Sequence, residues 1–246
     1  MSPVKAYWWR RVENFGDRLA PLLLARFAYL ETTWAPINEA DVVSVGSVLE
    51  HVPTGWAGYI LGSGLLRETS KLKFDPALTK ILALRGPLTA RSFTGEFALG
   101  DPGLLANELI EQQPKQWDLG IFPHWQDDQL SERFQKLIPA QYTTKVINPA
   151  DDPIQVLKEI SASRRIVTSS LHGVICADSF GIPRRVEYCS KLDADGGLFK
   201  FKDYSESIHS SLEIGKMSEP NRNRVEDAQS EIFHAYRELG RYHGQN

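Results

Sequence analysis

A chain of 246 residues with 42% hydrophobic and 24% charged residues has the composition of a globular protein with a sizeable core. Its formal net charge of −3 excludes the basic surface that non-specific binding of nucleic acid requires. Two cysteines cannot build a disulfide framework, the N-terminus lacks the apolar core of a signal peptide, and no apolar stretch is long enough to span a bilayer. We therefore expect a cytoplasmic protein whose membrane contact is at most peripheral, at the inner face of the membrane.

The first half of the sequence alternates short apolar runs with glycine turns and helical patterns. Apolar runs ended by glycine are typical of buried parallel strands, and strands are predicted at residues 4–9, 41–49, 58–64, 80–85 and 97–100. Helical spacing of apolar residues predicts helices between them, at residues 18–30, 86–93 and 103–110.

The polar stretch 111–118 is predicted to be a linker, because the same alternation restarts after it. Strands follow at 119–124, 145–149, 164–170 and 184–189, and helices at 128–138, 151–163, 171–180 and from about 219. This pattern predicts an α/β protein with two doubly wound, Rossmann-like lobes that face each other across a cleft. The lobes are assigned to residues 1–114 and 115–246, with the terminal helix in the second.

The stretch 168–183 places a histidine between a predicted strand and the first turn of a predicted helix. Leu171, Val174 and Ile175 share one face of that helix and should pack on the sheet, whereas His172 is offset from them. The first turn of a helix has unpaired N–H groups and partial positive charge, which bind anions and favour neutral imidazole. His172 is therefore either a packed core residue or a proton-exchanging group in the cleft.

Other candidate residues lie at predicted carboxyl ends of strands, where α/β proteins bind ligands. Arg85 precedes a helix and is suited to clamp a carboxylate or phosphate, with a surface ion pair as the alternative. Asp17 is a catalytic carboxylate or a helix cap, and His124 follows the first strand of the second lobe. The turns at the same edge add Asn14, Gly16, Gly62, Ser63 and Gly64.

Two acidic motifs are interpreted as structural. The Asp-Ala-Asp run at 193–195 has the form of a metal motif, but two glycines follow it and favour a turn. The Gly-Asp-Pro-Gly stretch at 100–103 is likewise interpreted as a turn. The sequence contains no P-loop, Gly-x-Ser-x-Gly or His-Glu-x-x-His motif, and we predict no metal site.

Together, the motifs of this sequence resemble those of the polysaccharide pyruvyl transferases. In chain order they are NFGD (14–17), LGSG (61–64), LRGPLTAR (84–91), LGDPGLL (99–105), PH (123–124) and SSLHGVICADSFGIP (169–183), with a weaker match at FKFKDYSESI (199–208). Their order and approximate spacing agree over most of residues 10–208. The resemblance implies a short version of a GT-B-like fold, with the acceptor on the first lobe and the donor on the second.

The resemblance also implies transfer of the pyruvyl unit of phosphoenolpyruvate onto two hydroxyls of a sugar in a polysaccharide or its precursor, which can be lipid-linked; the product is a cyclic ketal and no cofactor is needed. His172 matches the histidine of the family's Leu-His motif, and Asp17 matches its N-terminal acid. These two are the expected catalytic acid and base, in an order left open. Donor binding is assigned to Arg85, Ser169, Ser170, Leu171, Gly173, Lys191 and Lys202. Ser170 stands where some members have arginine.

Two other functions remain open at the level of sequence. A glycosyltransferase of the same fold would bind a nucleotide sugar and would need carboxylates placed for its base and ribose, which the second lobe does not obviously provide. A carbohydrate-binding protein without turnover would fit the short chain and the serine at position 170. A comparison of the protein's binding of phosphoenolpyruvate with its binding of nucleotide sugars distinguishes pyruvyl transfer from glycosyl transfer.

Overall fold

The structure is a computed structural model that describes residues 3–127, 129–190, 193 and 196–244. Within these residues, the first sheet has six strands: Val4–Tyr7 (β1), Thr32–Trp34 (β2), Val42–Val43 (β3), Tyr59–Leu61 (β4), Lys80–Leu84 (β5) and Ala98–Leu99 (β6). They are ordered β2-β1-β3-β4-β5-β6, and every neighbouring pair is parallel. The carboxyl ends of all six strands therefore lie along one edge of the sheet.

The second sheet, again within the described residues, has five strands: Leu119–Phe122 (β7), Thr144–Val146 (β8), Ile166–Thr168 (β9), Arg184–Val186 (β10) and Met217–Ser218 (β11). Their order is β11-β10-β9-β7-β8. The first four strands are parallel, and β11 is an antiparallel edge strand. These two parallel-dominated sheets confirm the predicted two-lobed α/β fold.

Helices connect and flank the strands, at Phe15–Leu23 (α1), Pro87–Ala90 (α2), Leu130–Leu137 (α3), Pro153–Ser161 (α4), Leu171–Ser179 (α5), Phe199–Ser207 (α6) and Arg222–Gly244 (α7). Their starts follow local chemistry. Asp152, for example, accepts hydrogen bonds from the N–H groups of Ile154 and Gln155, and Pro153 occupies the first helical position. No helix among the described parts of the chain is both long enough and apolar enough to cross a membrane.

Several element predictions were inaccurate. The sequence pattern did not predict β2, β11 or α6, and the helix predicted at 103–110 is a 3₁₀ helix, Pro102–Glu108. Asp101 caps that helix by accepting a hydrogen bond from the N–H of Gly103 at 2.9 Å. The missed strands are only two or three residues long, so they give almost no periodic signal.

The two lobes share a hydrophobic core. Phe15 of the first lobe packs edge-to-face on Phe122 of the second, with ring centroids 5.5 Å apart. The N–H of Phe15 also donates to the carbonyl of Pro149, at 2.9 Å. Burial of aromatic rings across the junction holds the sheets in one relative orientation.

Helix α7 follows the second lobe in sequence and packs against the first lobe. Its Ile232, Tyr236 and Leu239 are fully buried, and the Tyr236 hydroxyl is 2.7 Å from the Ser44 hydroxyl, next to β3. A Cβ added to Gly240 would lie 2.3 Å from the backbone oxygen of Ala28. The first lobe is therefore completed by residues from the far end of the sequence.

Gly240→Ala tests this close approach. Alanine normally favours a helix interior by about 1 kcal/mol over glycine. Here the added methyl group meets backbone that cannot move aside, so we expect a net loss of about 1–3 kcal/mol in the free energy of unfolding. The measurement is chemical denaturation, with the exposed neighbour Arg241→Ala as the control. Equal stability of the two variants would contradict the packing described for α7.

Candidate active site

A cavity of about 320 Å³ lies where the carboxyl ends of the two sheets face each other. Its first wall is formed by residues after β1, β3 and β4, and its second wall by residues after β7 and β9 and by one residue of α6. The lining residues include Trp9, Asn14, Asp17, Gly46, Ser47, His51, Arg67, His124, Trp125, Ser170, Leu171, His172 and Lys200. Five of the predicted site residues that are polar, Asn14, Asp17, His124, Ser170 and His172, are thus brought together.

His172 lies in the first turn of α5, directly after Ser170 and Leu171. Its side chain is buried, with the residue 7% exposed, and it lines the cavity. The whole helix is buried, and within it Val174 and Ile175 pack in the core whereas His172 lines the cavity. Both lobes cover this helix, since the 3₁₀ helix after β6 packs on it.

Two glycines make room for this turn. A Cβ on Gly16 would lie 1.9 Å from Nδ1 of His172, so any side chain there would displace the imidazole. A Cβ on Gly173 would lie 2.3 Å from Oγ1 of Thr168. Gly16 therefore serves the site by leaving space for His172, and Gly173, which was predicted to bind the donor, serves the packing of α5 on β9.

Asp101 lies next to His172 and was not predicted as a site residue. Oδ1 of Asp101 lies 3.9 Å from Nε2 of His172, and the carboxylate is fully buried. Within the described part of the chain, neither Nε2 of His172 nor Oδ2 of Asp101 has a hydrogen-bond partner. The Gly-Asp-Pro-Gly turn, interpreted as structural, thus also places a carboxylate next to the histidine. Its position at the end of a strand was the available signal.

Burial shifts the pKa values of both groups. Burial, and then the positive charges of Lys200 and Arg85, lower the pKa of His172 from 6.5 to about 3. Burial is also the main reason that the pKa of Asp101 is raised to about 6. At neutral pH the imidazole is therefore uncharged and Asp101 is mostly ionised.

Asp17 forms the opposite wall, in the first turn of α1, where the helix dipole favours a carboxylate. It is buried, with the residue 7% exposed, and Nδ2 of Asn14 donates to its Oδ2 at 2.5 Å. Gly46 has a φ of +100°, and a Cβ there would lie 3.0 Å from Oδ1 of Asp17. Backbone and amide contacts thus hold this carboxylate against the cavity.

Arg85 is not an exposed anion clamp, and it is not in a surface ion pair. Its guanidinium is fully buried and contacts Asp203 of α6, with Nε donating to Oδ2 at 2.9 Å. Its other nitrogens donate to the Ser47 hydroxyl and to the carbonyl of Leu65. Because Ser47 lines the cavity, Arg85 supports the wall from behind.

The predicted glycine loop also lies behind the wall. A Cβ on Gly62 would lie 2.4 Å from Cδ of Pro102, and one on Gly64 would lie 2.4 Å from Cζ of Arg85. Ser63 is buried, and its hydroxyl donates to the carbonyl of Ser44. The loop therefore allows close packing around Arg85 and Pro102, and its three residues do not contribute to the described cavity lining.

Among the residues predicted to bind the donor, the lysines are placed differently from expectation. Lys202 projects from α6 with a side chain 69% exposed, whereas Lys200, two residues earlier, is buried and lines the cavity. Lys191 lies outside the described residues. Ser169 is fully buried, and its hydroxyl accepts a hydrogen bond from the N–H of His124 at 3.0 Å, so it joins β7 to β9.

The fold and site define a two-lobed α/β protein with a cavity lined by polar side chains between the lobes, at the carboxyl ends of parallel strands, where proteins of this class usually bind ligands. The sequence model described as polysaccharide pyruvyl transferase matches residues 7–186, and the chain belongs to that family. This finding confirms the resemblance given by the motifs.

Two curated relatives and one solved structure are similar to this chain. Succinoglycan biosynthesis protein ExoV of Rhizobium meliloti is 29% identical over 219 residues, covering 83% of this chain and 65% of the relative. An uncharacterized protein of Acanthamoeba polyphaga mimivirus is 32% identical over 136 residues, covering 50% of this chain and 45% of the relative. The chain therefore spans less than two thirds of the length of either relative. A functionally uncharacterized Klebsiella pneumoniae protein aligns with a TM-score of 0.45 at 10% identity, covering 87% of this chain and 94% of that one.

The lowered pKa of His172 predicts how stability depends on pH. As the pH falls from about 6.5 towards 3, the unfolded chain binds a proton at this position and the folded protein does not. Stability therefore falls with decreasing pH over this window. In His172→Asn this contribution is absent, and we expect the loss on acidification to be smaller, by up to about 1.4 kcal/mol per pH unit.

Chemical denaturation at neutral pH and near pH 5 measures this effect. The control is His209→Asn, because His209 is exposed and its φ of 46° suits asparagine. Asp101 titrates in the opposite sense, since its folded pKa is raised, and its side chain is present in both variants. Parallel stability curves for the two variants would show that the imidazole is not held neutral by burial.

Proposed function

We propose that the protein transfers the pyruvyl group of phosphoenolpyruvate onto two hydroxyls of one sugar in a polysaccharide or its precursor. The observation that supports this proposal best is the division of the cavity into two walls. A carboxylate, Asp17, lines the first-lobe wall, and an imidazole and an ammonium, His172 and Lys200, line the second. Phosphoenolpyruvate has a phosphate and a carboxylate, so a cationic wall suits the donor.

The donor end of the cavity has two features that favour anions. Lys200 is only 6% exposed, so its charge acts in a medium of low dielectric. The nine-residue helix α5 begins at the cavity, and the Ser170 side chain makes no capping hydrogen bond to it. Its first N–H groups are therefore suited to hydrogen-bond a phosphate or carboxylate. This arrangement provides anion contacts although Ser170 replaces the arginine of some relatives.

The two protons released by the sugar hydroxyls balance the proposed reaction. C3 of the enol gains a proton, which generates an oxocarbenium-like centre at C2. One sugar hydroxyl adds to C2 and loses its proton, the C2–O bond to phosphate breaks, and the second hydroxyl adds in the same way. Of the two protons released by the hydroxyls, one balances the proton added to C3 and the other leaves with phosphate.

In this proposal, His172 supplies the proton to the donor. Burial favours its neutral form, but a bound trianionic donor beside Lys200 favours the imidazolium form and raises its pKa. Asp101, 3.9 Å from Nε2, adds a negative charge next to the ring. A protonated histidine with a low intrinsic pKa is a strong acid, as protonation of an enol carbon requires.

Asp17 is the proposed acceptor of the protons of the sugar hydroxyls. It belongs to the first lobe, opposite the donor contacts, and Asn14 fixes its carboxylate. A carboxylate within hydrogen-bond reach of a hydroxyl can act as a general base. The two catalytic groups therefore come from different lobes, on opposite walls of the cavity.

Lys200→Gln tests the donor site. Phosphoenolpyruvate binds only the folded state, so it raises the melting temperature of the wild type by mass action. We expect this increase to be largely lost in Lys200→Gln, because a buried cation that faces the anion is removed. Lys202→Gln is the matched control, since this exposed lysine is on the same helix and should leave the increase unchanged.

Thermal unfolding with phosphoenolpyruvate and, separately, with nucleotide sugars gives the comparison. Stabilisation by a nucleotide sugar but not by phosphoenolpyruvate would contradict the proposal and favour the glycosyltransferase function. Equal stabilisation of Lys200→Gln and wild type by phosphoenolpyruvate would remove Lys200 from the donor site.

His172→Asn tests the chemistry. Asparagine keeps a polar group but cannot exchange a proton, so turnover should fall by about two to four orders of magnitude. Leu171→Ala is the contrasting variant, because its 4% exposed side chain contributes about 2–5 kcal/mol to stability. Phosphate release from phosphoenolpyruvate with a panel of sugar acceptors is measured for folded samples of both. Near-normal turnover in His172→Asn would show that the histidine is structural.

A further inference from the structure

A second depression, of about 600 Å³, adjoins the cavity along the cleft between the lobes. Trp9 lines both, so the two spaces meet at this side chain. The first lobe contributes Trp8 and Trp34 to the depression, and the second lobe contributes Asp152 and Pro153 at the start of α4. We call this depression the tryptophan groove. Because β1 ends at Tyr7 and β2 at Trp34, the groove follows the same sheet edge as the cavity.

The tryptophans of this groove are held in place but remain partly exposed. Nε1 of Trp34 donates to the carbonyl of Trp8 at 2.9 Å, which orients the indole ring. The guanidinium carbon of Arg10 lies 4.9 Å from the centre of the Trp34 ring. By contrast, Trp56 is 6% exposed, and its Nε1 donates to the carbonyl of Ala40 inside the core. Packing of the core therefore accounts fully for Trp56, whereas Trp8, Trp9 and Trp34 each keep part of their surface exposed to the groove.

This chemistry matches a carbohydrate. The C–H faces of a pyranose ring are apolar and pack on indole rings, and its hydroxyls need planar donors and acceptors at the rim. The groove supplies both, because Arg10, Glu13, Arg18 and Asp152 surround its tryptophans. Its volume also lies in the range of about 300–1,000 Å³ that is usual for sites of drug-sized ligands, which allows more than one sugar ring.

We propose that the tryptophan groove binds the sugar units of an oligosaccharide acceptor that lie next to the unit being modified. This inference rests on the proposed transfer to a sugar. The reacting unit occupies the cavity beside Asp17, Trp9 lies at the junction, and the neighbouring units pack on Trp8 and Trp34. The protein therefore distinguishes an oligosaccharide from a monosaccharide by contacts remote from the reacting hydroxyls.

Chain-length dependence of sugar binding tests the groove. The probes are β-linked glucosyl and galactosyl saccharides of one to six units, titrated into the full chain by calorimetry. We expect affinity to increase with length for at least one series. Trp34→Ala and Arg10→Ala should weaken binding of the longer saccharides by about threefold to tenfold, the scale of one stacking contact. Binding of the monosaccharides should be unchanged.

Trp117→Ala is the matched control, because Trp117 of the second lobe is also partly exposed and Nζ of Lys145 lies 5.7 Å from the centre of its ring. Arg10 is exposed, so its variant remains informative if Trp34→Ala unfolds. Three results would exclude the groove as a saccharide site. They are an affinity that does not depend on saccharide length, no binding in either series, and equal losses of affinity in Trp117→Ala and the groove variants. Stabilisation by phosphoenolpyruvate should be the same in all variants, so its absence in wild type would count against the proposed donor alone.

Discussion

One buried ion pair, between Arg85 at the end of β5 and Asp203 of α6, links the two lobes and supports the cavity between them. Both side chains are fully inaccessible, and Nη2 of Arg85 lies 2.8 Å from Oδ2 of Asp203. Thr89 adds two hydrogen bonds to the same carboxylate. Gly86 lets the backbones meet, since a Cβ there would lie 1.9 Å from the carbonyl oxygen of Asp203. Removing one partner of such a pair typically costs about 3–5 kcal/mol, because a buried charge is left alone.

This ion pair also organises the cavity. Lys200 precedes Asp203 by three residues on α6, so both lie on the same side of the helix. Anchoring Asp203 to the first lobe therefore holds Lys200 at the second wall. On the other side of Arg85, the hydrogen bond to Ser47 fixes the loop after β3. Arg85 does not line the cavity, but its contacts thus position Lys200 in the second wall and the loop after β3 in the first wall.

The sequence was sufficient to predict the alternating α/β pattern and the residues whose position follows from the end of a strand or the start of a helix. Asn14, Asp17, His124 and His172 are examples, because parallel strands bring their carboxyl ends to one edge. It was not sufficient for residues whose role depends on contacts between lobes. Arg85 had the right position for a clamp, but only the structure shows that a carboxylate 118 residues later neutralises it.

The same limit explains the two lysines of α6 and the role of Asp101. The sequence gives no register for a short helix between turns, so Lys200 and Lys202 could not be separated by the side they face. Asp101 has a capping role that fully accounts for it locally. Its proximity to His172 arises only when the 3₁₀ helix after β6 packs on α5. Local explanations that are correct can therefore hide a second role.

The return of α7 to the first lobe has a consequence for how the chain reaches its folded state. Ser44 and Tyr236 form their hydrogen bond across 192 residues of sequence, and Gly100 packs on Ile232. Such distant contacts form late, because closing a long loop costs entropy before the contact is gained. During synthesis, the apolar surface of the first sheet that α7 covers therefore stays exposed until α7, which follows the second lobe, has emerged from the ribosome. The lobes then complete folding as one cooperative unit rather than in order of synthesis.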